Sequence, residues 1–432
     1  MRTRLIYGPR EIHLDIPDRN VVWELWPNDL SAVKNEERAT REAIANAIGT
    51  RSLSQLAKPK MKVVILADDL TRPTPKKLIV PILLNELNKA GVRDQDVTIL
   101  IALGTHRYMT ENEILTAFGE DIMSRVRVAN HEWMEQANLV SLGRTENGTP
   151  ITINKMAYDS DLLIGVGSIV PHSWAGFSGG AKIIQPGISG PDTTAATHHL
   201  IFDDDSEVLD FAGMVRNKVM TEMREVARKT GLDFIVNVVM NSKKEIVKIV
   251  AGDLEAAHDA GIEASRQMFV REIPCKADIV IEEAYPADFD MWQGTKPLSY
   301  SRRAVKDRGT VIFLTAARDG ISASHPFLAE HGRRSYRQLK RMMMRDLVDD
   351  RVACSVLMLM KKSVEGVKMI VVSDGLTREM KSQMAMEHAD TMEDALRMAI
   401  EKHGKKATIG VVHQGGDALP VYAKEHRGRG KG

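Results

Sequence analysis

Short runs of aliphatic and β-branched residues alternate along this chain with longer stretches of helical spacing. In the first half the apolar runs cover residues 62–67, 97–102 and 162–166, with few polar residues inside them. Nearly continuous apolar runs of this length are typical of strands buried on both faces of a parallel sheet. Residues 75–89 lie between the first two runs and have helical spacing, with a proline at the start. The pattern predicts a βαβ unit with a right-handed crossover.

The second half repeats this pattern. Strands are predicted at 278–281, 310–314, 368–372 and 408–412, with helices at 297–306 and 392–403. A helical segment at 255–269 ends at residues 271–274, where Pro274 interrupts the spacing. We therefore expect two α/β domains with largely parallel sheets, residues 1–272 and 273–432, and an active site in the cleft between them.

Composition and charge exclude several classes of protein. The chain has 432 residues, of which 59 are Lys or Arg and 58 are Asp or Glu, so the net charge of +1 argues against a protein organised around nucleic acid or an anionic membrane. No apolar run approaches the roughly 20 residues of a membrane span, and the N-terminus lacks an apolar signal core. Two cysteines provide neither a disulfide framework nor a cysteine-based zinc site. We expect a cytoplasmic protein.

Polar residues of several chemical types follow the predicted strands. The loop after the first strand carries Asp69 and Arg72, and the loop after the second carries His106. His172 and Lys182 follow the third strand, with Ser178, Gly179 and Gly180 directly before Ala181 and Lys182, and Gln293 and Lys296 follow the first strand of the second half. Ligands of open parallel sheets bind outside the carboxyl ends of the strands, so these side chains are candidates for one shared site.

A helix begins near Pro191 and carries the adjacent His198 and His199, only one of which can face a common site. A histidine-rich, cysteine-poor site with a lysine indicates a borderline metal bound by imidazole. Two alternatives remain open from the residues alone. One is a zinc or iron lyase or hydrolase in which His106, His172 and His198 bind the metal together. The other is a binding protein for RNA or an acidic partner, because residues 333–345 include six basic and no acidic residues.

Five short motifs and one histidine resemble those of the nickel-pincer lactate racemase family, along essentially the whole chain. The motifs are DLTRP at 69–73, GTHR at 104–107, PH at 171–172, GGAK at 179–182 and WQGTK at 292–296, and the histidine is His198. This family of 2-hydroxy acid racemases and epimerases carries a pyridinium mononucleotide whose ring holds square-planar nickel through two sulfurs and one carbon. Its separations between motifs match those in this chain.

The resemblance implies a role for each matching residue. Lys182 is similar to the lysine that attaches the nickel-pincer nucleotide through a thioamide, and His198 to the imidazole that completes the nickel coordination. His106 and His172 resemble the two acid/base imidazoles, and Arg72 and Lys296 the cations that hold the substrate carboxylate or oxyanion. The resemblance extends cofactor contacts to Asp69, Leu70, Thr71, Arg72, Ser178, Gly179, Lys182, Gln293 and Lys296.

The resemblance also implies the reaction. The enzyme would be an isomerase that inverts C2 of a 2-hydroxy acid by reversible hydride transfer to the pincer ring, after maturation enzymes supply the cofactor. The N-terminal domain would carry cofactor and nickel ligand, and the C-terminal domain would close over the substrate. Family members that use lactate place an aromatic residue, usually tryptophan, in the second domain beside the substrate methyl group. This chain has Cys354, Ser355 and methionines in that region and no tryptophan after Trp292, so a substrate other than lactate is expected.

Overall fold

Two six-stranded sheets flanked by helices form the protein, which is described here from a computed structural model over residues 1–422. The strands are β1 (Arg2–Tyr7), β2 (Arg10–Asp15), β3 (Val21–Leu25), β4 (Val63–Asp68), β5 (Val97–Ala102), β6 (Arg127–Asn130), β7 (Leu139–Arg144), β8 (Pro150–Asn154), β9 (Leu162–Ser168), β10 (Pro171–His172), β11 (Gly176–Phe177), β12 (Phe234–Met240), β13 (Ile246–Gly252), β14 (Val270–Ile273), β15 (Ala277–Glu283), β16 (Val305–Leu314), β17 (Lys368–Val372), β18 (Glu387–His388), β19 (Ile409–Val412) and β20 (Leu419–Tyr422). The helices are α1 (Glu36–Ala45), α2 (Leu53–Leu56), α3 (Lys76–Lys89), α4 (Glu111–Phe118), α5 (Glu120–Arg125), α6 (Lys155–Tyr158), α7 (Pro191–His199), α8 (Lys218–Thr230), α9 (Ala256–Phe269), α10 (Met291–Ala304), α11 (Phe327–His331), α12 (Tyr336–Met344), α13 (Arg351–Ser363), α14 (Arg378–Gln383) and α15 (Met392–His403).

The first sheet has the order β13-β12-β9-β4-β5-β6. All its neighbours are parallel except β12 and β13. Every residue of β4 and β9 is buried, which explains why their sequences are almost continuously apolar. Strands β4, β5 and β9 therefore end at the same edge of the sheet, and the loops that carry Asp69, His106 and His172 begin there.

The second sheet has the order β18-β17-β16-β15-β19-β3 and is parallel throughout. Its last strand comes from the N-terminal end of the chain, because β3 pairs with β19. The hairpin β1–β2 also packs on this half, since Leu5 and Leu14 share a core with Ile279. The division at residue 272 remains a prediction, but residues on its N-terminal side clearly help to build the second sheet.

The predicted α/β class with two largely parallel sheets is confirmed, and most predicted elements lie within a few residues of their expected bounds. One helix differs: the segment predicted at 297–306 is α10, Met291–Ala304. The Asp290 side chain caps the start of α10 by accepting a hydrogen bond from the Gln293 backbone N–H at 2.8 Å. Pro297 therefore lies inside the helix and not at its first turn. Over residues 1–422, no helix is long and apolar enough to cross a bilayer.

Candidate active site

The loops after β4, β5 and β9 meet α7, α10 and α13 around a cavity of about 980 Å³, the solvent at its mouth included. Residues from both halves of the molecule, each half built around one of the two sheets, line this cavity. All of the candidate site residues except Leu70 line it, namely Asp69, Thr71, Arg72, His106, His172, Ser178, Gly179, Lys182, His198, Gln293 and Lys296. Leu70 lines an adjoining cavity, which shares Asp69 and His106 with the first.

His106 is held between two side chains. Its Nδ1 lies 2.6 Å from Asp69 Oδ2, and its Nε2 lies 3.0 Å from the Gln293 side-chain amide nitrogen. A carboxylate only accepts hydrogen bonds, so Nδ1 carries the proton that joins His106 to Asp69. The lone pair of the neutral ring is then on Nε2, where the Gln293 amide donates to it. This arrangement leaves His106 Nε2 as a proton acceptor within the cavity.

Asp69 is itself fixed and charged. Its Oδ1 accepts hydrogen bonds from the Thr71 backbone N–H at 3.0 Å and the Thr71 hydroxyl at 2.5 Å. Burial raises the pKa of the Asp69 carboxyl, but the interaction with His106 Nδ1–H, the hydrogen bond from Thr71 and the charge of Arg72 outweigh burial and hold that pKa well below its ordinary value. Asp69 is therefore an ionised partner that orients the His106 ring.

His172 approaches the cavity in a different hydrogen-bonding state. Its Nδ1 accepts weak hydrogen bonds from the backbone N–H groups of Trp174 and Ala175, each at 3.3 Å, so the neutral ring carries its proton on Nε2. Burial and the nearby cations Lys182, Arg72 and Lys296 hold the pKa of His172 well below its ordinary value. His172 is thus a neutral imidazole with Nε2–H, whereas His106 has its lone pair there.

His198 is oriented by its own helix. Its Nδ1 lies 2.8 Å from the Thr194 carbonyl oxygen, one turn earlier in α7, and therefore donates its proton to that oxygen. Burial, then the charge of Lys182, lowers the pKa of His198 to about 4, so Nε2 carries a lone pair at neutral pH. A backbone partner at Nδ1 and a free Nε2 are the usual arrangement of a metal-binding histidine. His199 packs instead against Phe202, 5.9 Å away between ring centroids.

Lys182 lies on a 3-10 turn, Gly180–Ile183, and borders the cavity. Among the residues that the structure describes, its ammonium nitrogen has no hydrogen-bond or ion-pair partner. Burial and the cations Arg72 and Lys296 lower its pKa to about 7. An amine in this environment is substantially neutral at physiological pH and therefore nucleophilic.

Lys296 and Arg72 place positive charge at the cavity wall. Lys296 Nζ is 3.1 Å from Asp417 Oδ1, and Arg72 donates to the Thr71 carbonyl and hydroxyl oxygens. Burial lowers the pKa of Lys296 to about 8, although Asp417 opposes this change. Both side chains suit a carboxylate or oxyanion.

The loop with Ser178 and Gly179 approaches the sheet closely. Gly179 has φ of +80°, and a Cβ there would lie 2.9 Å from Asn237 Oδ1, so a larger residue would collide. The Ser178 hydroxyl donates its proton to the Ser168 carbonyl oxygen at 2.8 Å, a hydrogen bond within the protein that stabilises this loop. Both residues line the cavity, and the Ser178 hydroxyl also supports the conformation of the loop.

Asp417 and Trp174 are cavity neighbours that the sequence analysis did not identify. Asp417 follows β19, so extending the search for polar residues after strands to that strand would have found it. Trp174 lies between two site histidines, 6.0 Å from the His172 ring centroid and 5.1 Å from that of His198. Its indole N–H donates to the His198 carbonyl oxygen at 3.2 Å, a contact that no local pattern predicts.

The described residues do not form the metal site of the alternative in which His106, His172 and His198 bind zinc or iron together. Within residues 1–422, no three His, Cys, Asp or Glu side chains converge in a geometry that could hold a metal ion. Both ring nitrogens of His106 already have partners, Asp69 and Gln293. Of the three histidines, His198 has its Nδ1 bound to the backbone of its own helix and its Nε2 without a hydrogen-bond partner among the described residues.

The basic segment at 333–345 is partly engaged within the protein. Arg333 donates to the Ser382 carbonyl and hydroxyl oxygens, and Lys340 pairs with Asp205 at 2.6 Å. These contacts explain two of the six basic residues as supports of the fold.

Comparison with known proteins adds the decisive observation. Residues 7–210 match the model of the lactate racemase N-terminal domain, and residues 270–419 match that of the lactate racemase C-terminal domain. The chain belongs to the lactate racemase family.

Relatives of this family agree along most of the chain. A lactate racemase of Lactiplantibacillus plantarum is 30% identical over 423 residues, covering 95% of this chain and 97% of that protein. A lactate racemase of Thermoanaerobacterium thermosaccharolyticum is 36% identical over 323 residues, covering 73% and 74% of the two chains. The protein is therefore a racemase, an isomerase that acts on a small molecule.

Solved structures support the same fold. The lactate racemase apoprotein from Thermoanaerobacterium thermosaccharolyticum superposes with a TM-score of 0.84 at 30% identity, covering 97% of this chain and 100% of that one. A Thermotoga maritima protein superposes with a TM-score of 0.72 at 19% identity, covering 92% and 100% of the two chains, which supports the fold alone.

Proposed function

We propose that this racemase inverts C2 of a 2-hydroxy acid larger than lactate, using a nickel-pincer nucleotide attached at Lys182 and coordinated through His198. The observation that carries the proposal is the presence, in one cavity, of the Lys182 amine, which has no partner among residues 1–422, and of a histidine at 198 whose Nδ1 is bound to its own helix. The amine suits covalent attachment of a cofactor acid group, and the free Nε2 suits a borderline metal.

The residues present fit such a group. Lys182 would form the attachment, His198 Nε2 would be the protein's metal ligand, and Ser178 and Gly179 at the cavity wall would border the bound nucleotide. When bound, the pincer ring would supply an electron-poor carbon that takes hydride from the substrate C2 and returns it to either face. Removing hydride avoids forming a carbanion beside the substrate carboxylate, which is the obstacle to simple proton abstraction at C2.

The protein's own residues would bind, orient and exchange protons. Arg72 and Lys296 would hold the carboxylate of the hydroxy acid, and positioned charges of this kind contribute about 2.7–4 kcal/mol per donor in comparable sites. His106 Nε2 would accept the hydroxyl proton, because Asp69 fixes the other ring nitrogen as a donor. His172, with Nε2–H, would contact the same oxygen after the planar keto acid has turned to present its other face.

The expectation that the substrate is not lactate rests on the wall formed by α13. That helix contributes Val356 to the cavity, and Cys354 is fully buried in the core of the same half. Valine is much smaller than the tryptophan that lactate-using relatives are expected to carry in this region, so the α13 wall would accept a longer substrate side chain. The adjoining cavity at His106 and Gln293 provides further room for a longer side chain.

The experiment is to produce the protein together with the cofactor-making enzymes and to assay it on D- and L-2-hydroxy acids. The panel includes lactate, malate, phenyllactate and sugar acids, and stereochemical inversion is followed for each. We expect a larger acid to be the best substrate, a mass increase on the Lys182 peptide that Lys182→Ala abolishes, and slower turnover in His106→Ala and His172→Ala. His403→Ala is the matched control, because His403 contacts Thr310 in the second half, outside the cavity.

Two results would contradict the proposal. If lactate is the best substrate, the expectation of a 2-hydroxy acid larger than lactate is wrong. Full inversion activity without any added mass or bound nickel would remove the cofactor from the mechanism.

A further inference from the structure

His325 is a buried histidine in the loop between β16 and α11, and only 3% of its surface is exposed. Its Nδ1 lies 2.6 Å from Asp350 Oδ2, and its Nε2 lies 2.9 Å from the Thr105 carbonyl oxygen. Both of these partners are hydrogen-bond acceptors on opposite sides of the ring, and together they fix its orientation.

The flat faces of His325 are also occupied. Trp292 stacks on it with ring centroids 4.0 Å apart and an interplanar angle of 10°, and Trp133 lies at 5.8 Å and 17°. Stacked aromatic rings stabilise one another beyond the surface area that they bury. His325 is therefore restrained in position by two hydrogen bonds and two indoles.

Three of these four contacts, those with Thr105, Trp133 and Trp292, lead to His106. Thr105 precedes His106 in the chain, and the Trp133 indole N–H donates to the His106 carbonyl oxygen at 3.0 Å. Trp292 precedes Gln293, whose side-chain amide contacts His106 Nε2 at 3.0 Å. His325 thus contacts three groups beside His106. They are the Thr105 carbonyl oxygen, the Trp133 indole that binds the His106 carbonyl oxygen, and Trp292, which precedes Gln293.

Asp350 extends this cluster to another wall of the cavity. Its Oδ1 accepts from the Ala353 backbone N–H at 2.9 Å and so caps α13, while its Oδ2 binds His325. α13 contributes Val356 to the cavity, and Thr105 belongs to the loop after β5 in the other sheet. The pair of His325 and Asp350 consequently joins the loop of His106 to the half of the molecule that contains the second sheet.

We propose that His325 is a positioning residue that fixes the His106 imidazole for turnover, acting through the Thr105 carbonyl and the indoles of Trp292 and Trp133. The inference rests on the proposed role of His106 as an acid/base group. Misplacing a reacting group by about 1 Å can reduce turnover roughly 10²-fold, so a restraint of this kind affects kcat more than substrate binding.

His325→Phe tests the proposal because it keeps an aromatic ring between the indoles and removes both hydrogen bonds. His413→Phe is the matched control: His413 is also fully buried, stacks on Trp26 at 3.6 Å and contacts acidic residues in the same half, but has no contact with His106. In cofactor-loaded protein, we expect His325→Phe to lower kcat about 10–100-fold with KM changed less than about twofold. We expect His413→Phe to leave the ratio of kcat to KM near that of the unmodified protein.

A second readout does not depend on turnover. Carbethoxylation of each histidine in the cofactor-free protein is followed by peptide mass spectrometry, and His106 should react several-fold faster in His325→Phe than in the unmodified protein or in His413→Phe. If His106→Ala keeps full activity, the proposed role of His106 fails, yet this reactivity still tests whether His325 restrains His106.

The inference is overturned if His106 reacts at the same rate with and without His325, if kcat is unchanged, or if His413→Phe causes the same changes. Should His325→Phe not fold, Asp350→Asn replaces it under the same criteria. Asparagine retains an oxygen for the Ala353 amide and removes the negative charge beside His325.

Discussion

The His106 ring nitrogen Nδ1 lies 2.6 Å from the Asp69 carboxylate, although the two residues follow different strands of the first sheet. Because β4 and β5 are parallel neighbours, their carboxyl ends bring the two loops to one edge. The contact fixes the tautomer of His106 and so decides which ring nitrogen can accept a proton from substrate.

Replacing Asp69 by asparagine should therefore lower kcat about 10²–10⁴-fold. The asparagine amide can donate to Nδ1, which favours the tautomer with the proton on Nε2 and removes the acceptor from the cavity. The measurement is kcat in cofactor-loaded protein, with the thermal midpoint as a check of folding. Asp96→Asn is the control, since Asp96 pairs with Arg93 at the surface. Activity of Asp69→Asn within twofold of the control would contradict this role.

Asp417→Asn should move the alkaline limb of the kcat/KM profile to lower pH. Burial lowers the pKa of Lys296 to about 8 while the Asp417 charge raises it, so removing that charge lowers the pKa further. Below its pKa, Lys296 is a cation that binds the substrate carboxylate, and above it this attraction is lost. We expect the limb near pH 8 to shift downward by about one unit and KM at pH 8 to rise.

The control for this shift is Asp374→Asn, because Asp374 pairs with Arg10 at the surface of the same half. An alkaline limb that is unmoved in Asp417→Asn, or moved equally in both variants, would show that Lys296 does not control it.

Local sequence patterns identified seven strands, namely β4, β5, β9, β15, β16, β17 and β19. They also identified the polar loops after several of them, because a buried parallel strand is apolar throughout and ligands bind beyond its carboxyl end. The position of β3 could not be predicted in this way. Val21–Leu25 is a short apolar run like many others, and its pairing with β19, nearly the whole chain away, depends on which sheet edge is left open.

The contacts around His106 show the same limit. Gln293, 187 residues away, was expected at this site, but the contact of His325 with the Thr105 carbonyl oxygen across 220 residues was not. A lone histidine after Ser324 carries no local signal of function. Only the packing of the two halves shows that its ring is held between two tryptophans.

Val356→Phe should narrow the cavity and change the order of substrates. Phenylalanine would occupy space beside the reacting centre, and a misfit of one or two carbon groups in a closed pocket costs roughly 10–200-fold in specificity. We expect kcat/KM to fall about 10-fold or more for the larger 2-hydroxy acids and to be retained for lactate. Val352→Phe is the matched control, because Val352 is buried on the same helix but does not line the cavity. Equal losses on all substrates would indicate damage to α13 instead of a change in the pocket.

Lys182→Met should stabilise the cofactor-free protein, and the gain should depend on pH. Burial, Arg72 and Lys296 lower the pKa of Lys182 to about 7 in the folded state, whereas the unfolded chain has the ordinary value of 10.5. Between these values the unfolded state binds the additional proton, so the wild-type protein loses stability as the pH falls from 10.5 towards 7, and the full penalty remains below 7.

Methionine has similar length and no charge, so the variant should unfold with a free energy about 1–3 kcal/mol higher than the wild-type at pH 7. The difference should persist at pH 6 and narrow towards pH 10, as measured by urea unfolding of the cofactor-free proteins. Lys243→Met, at an exposed turn, should show no such pH-dependent difference. If the difference in the free energy of unfolding were the same at every pH, methionine would stabilise the protein by packing alone. Lys182 would then have an ordinary pKa and would not be an unusually nucleophilic amine.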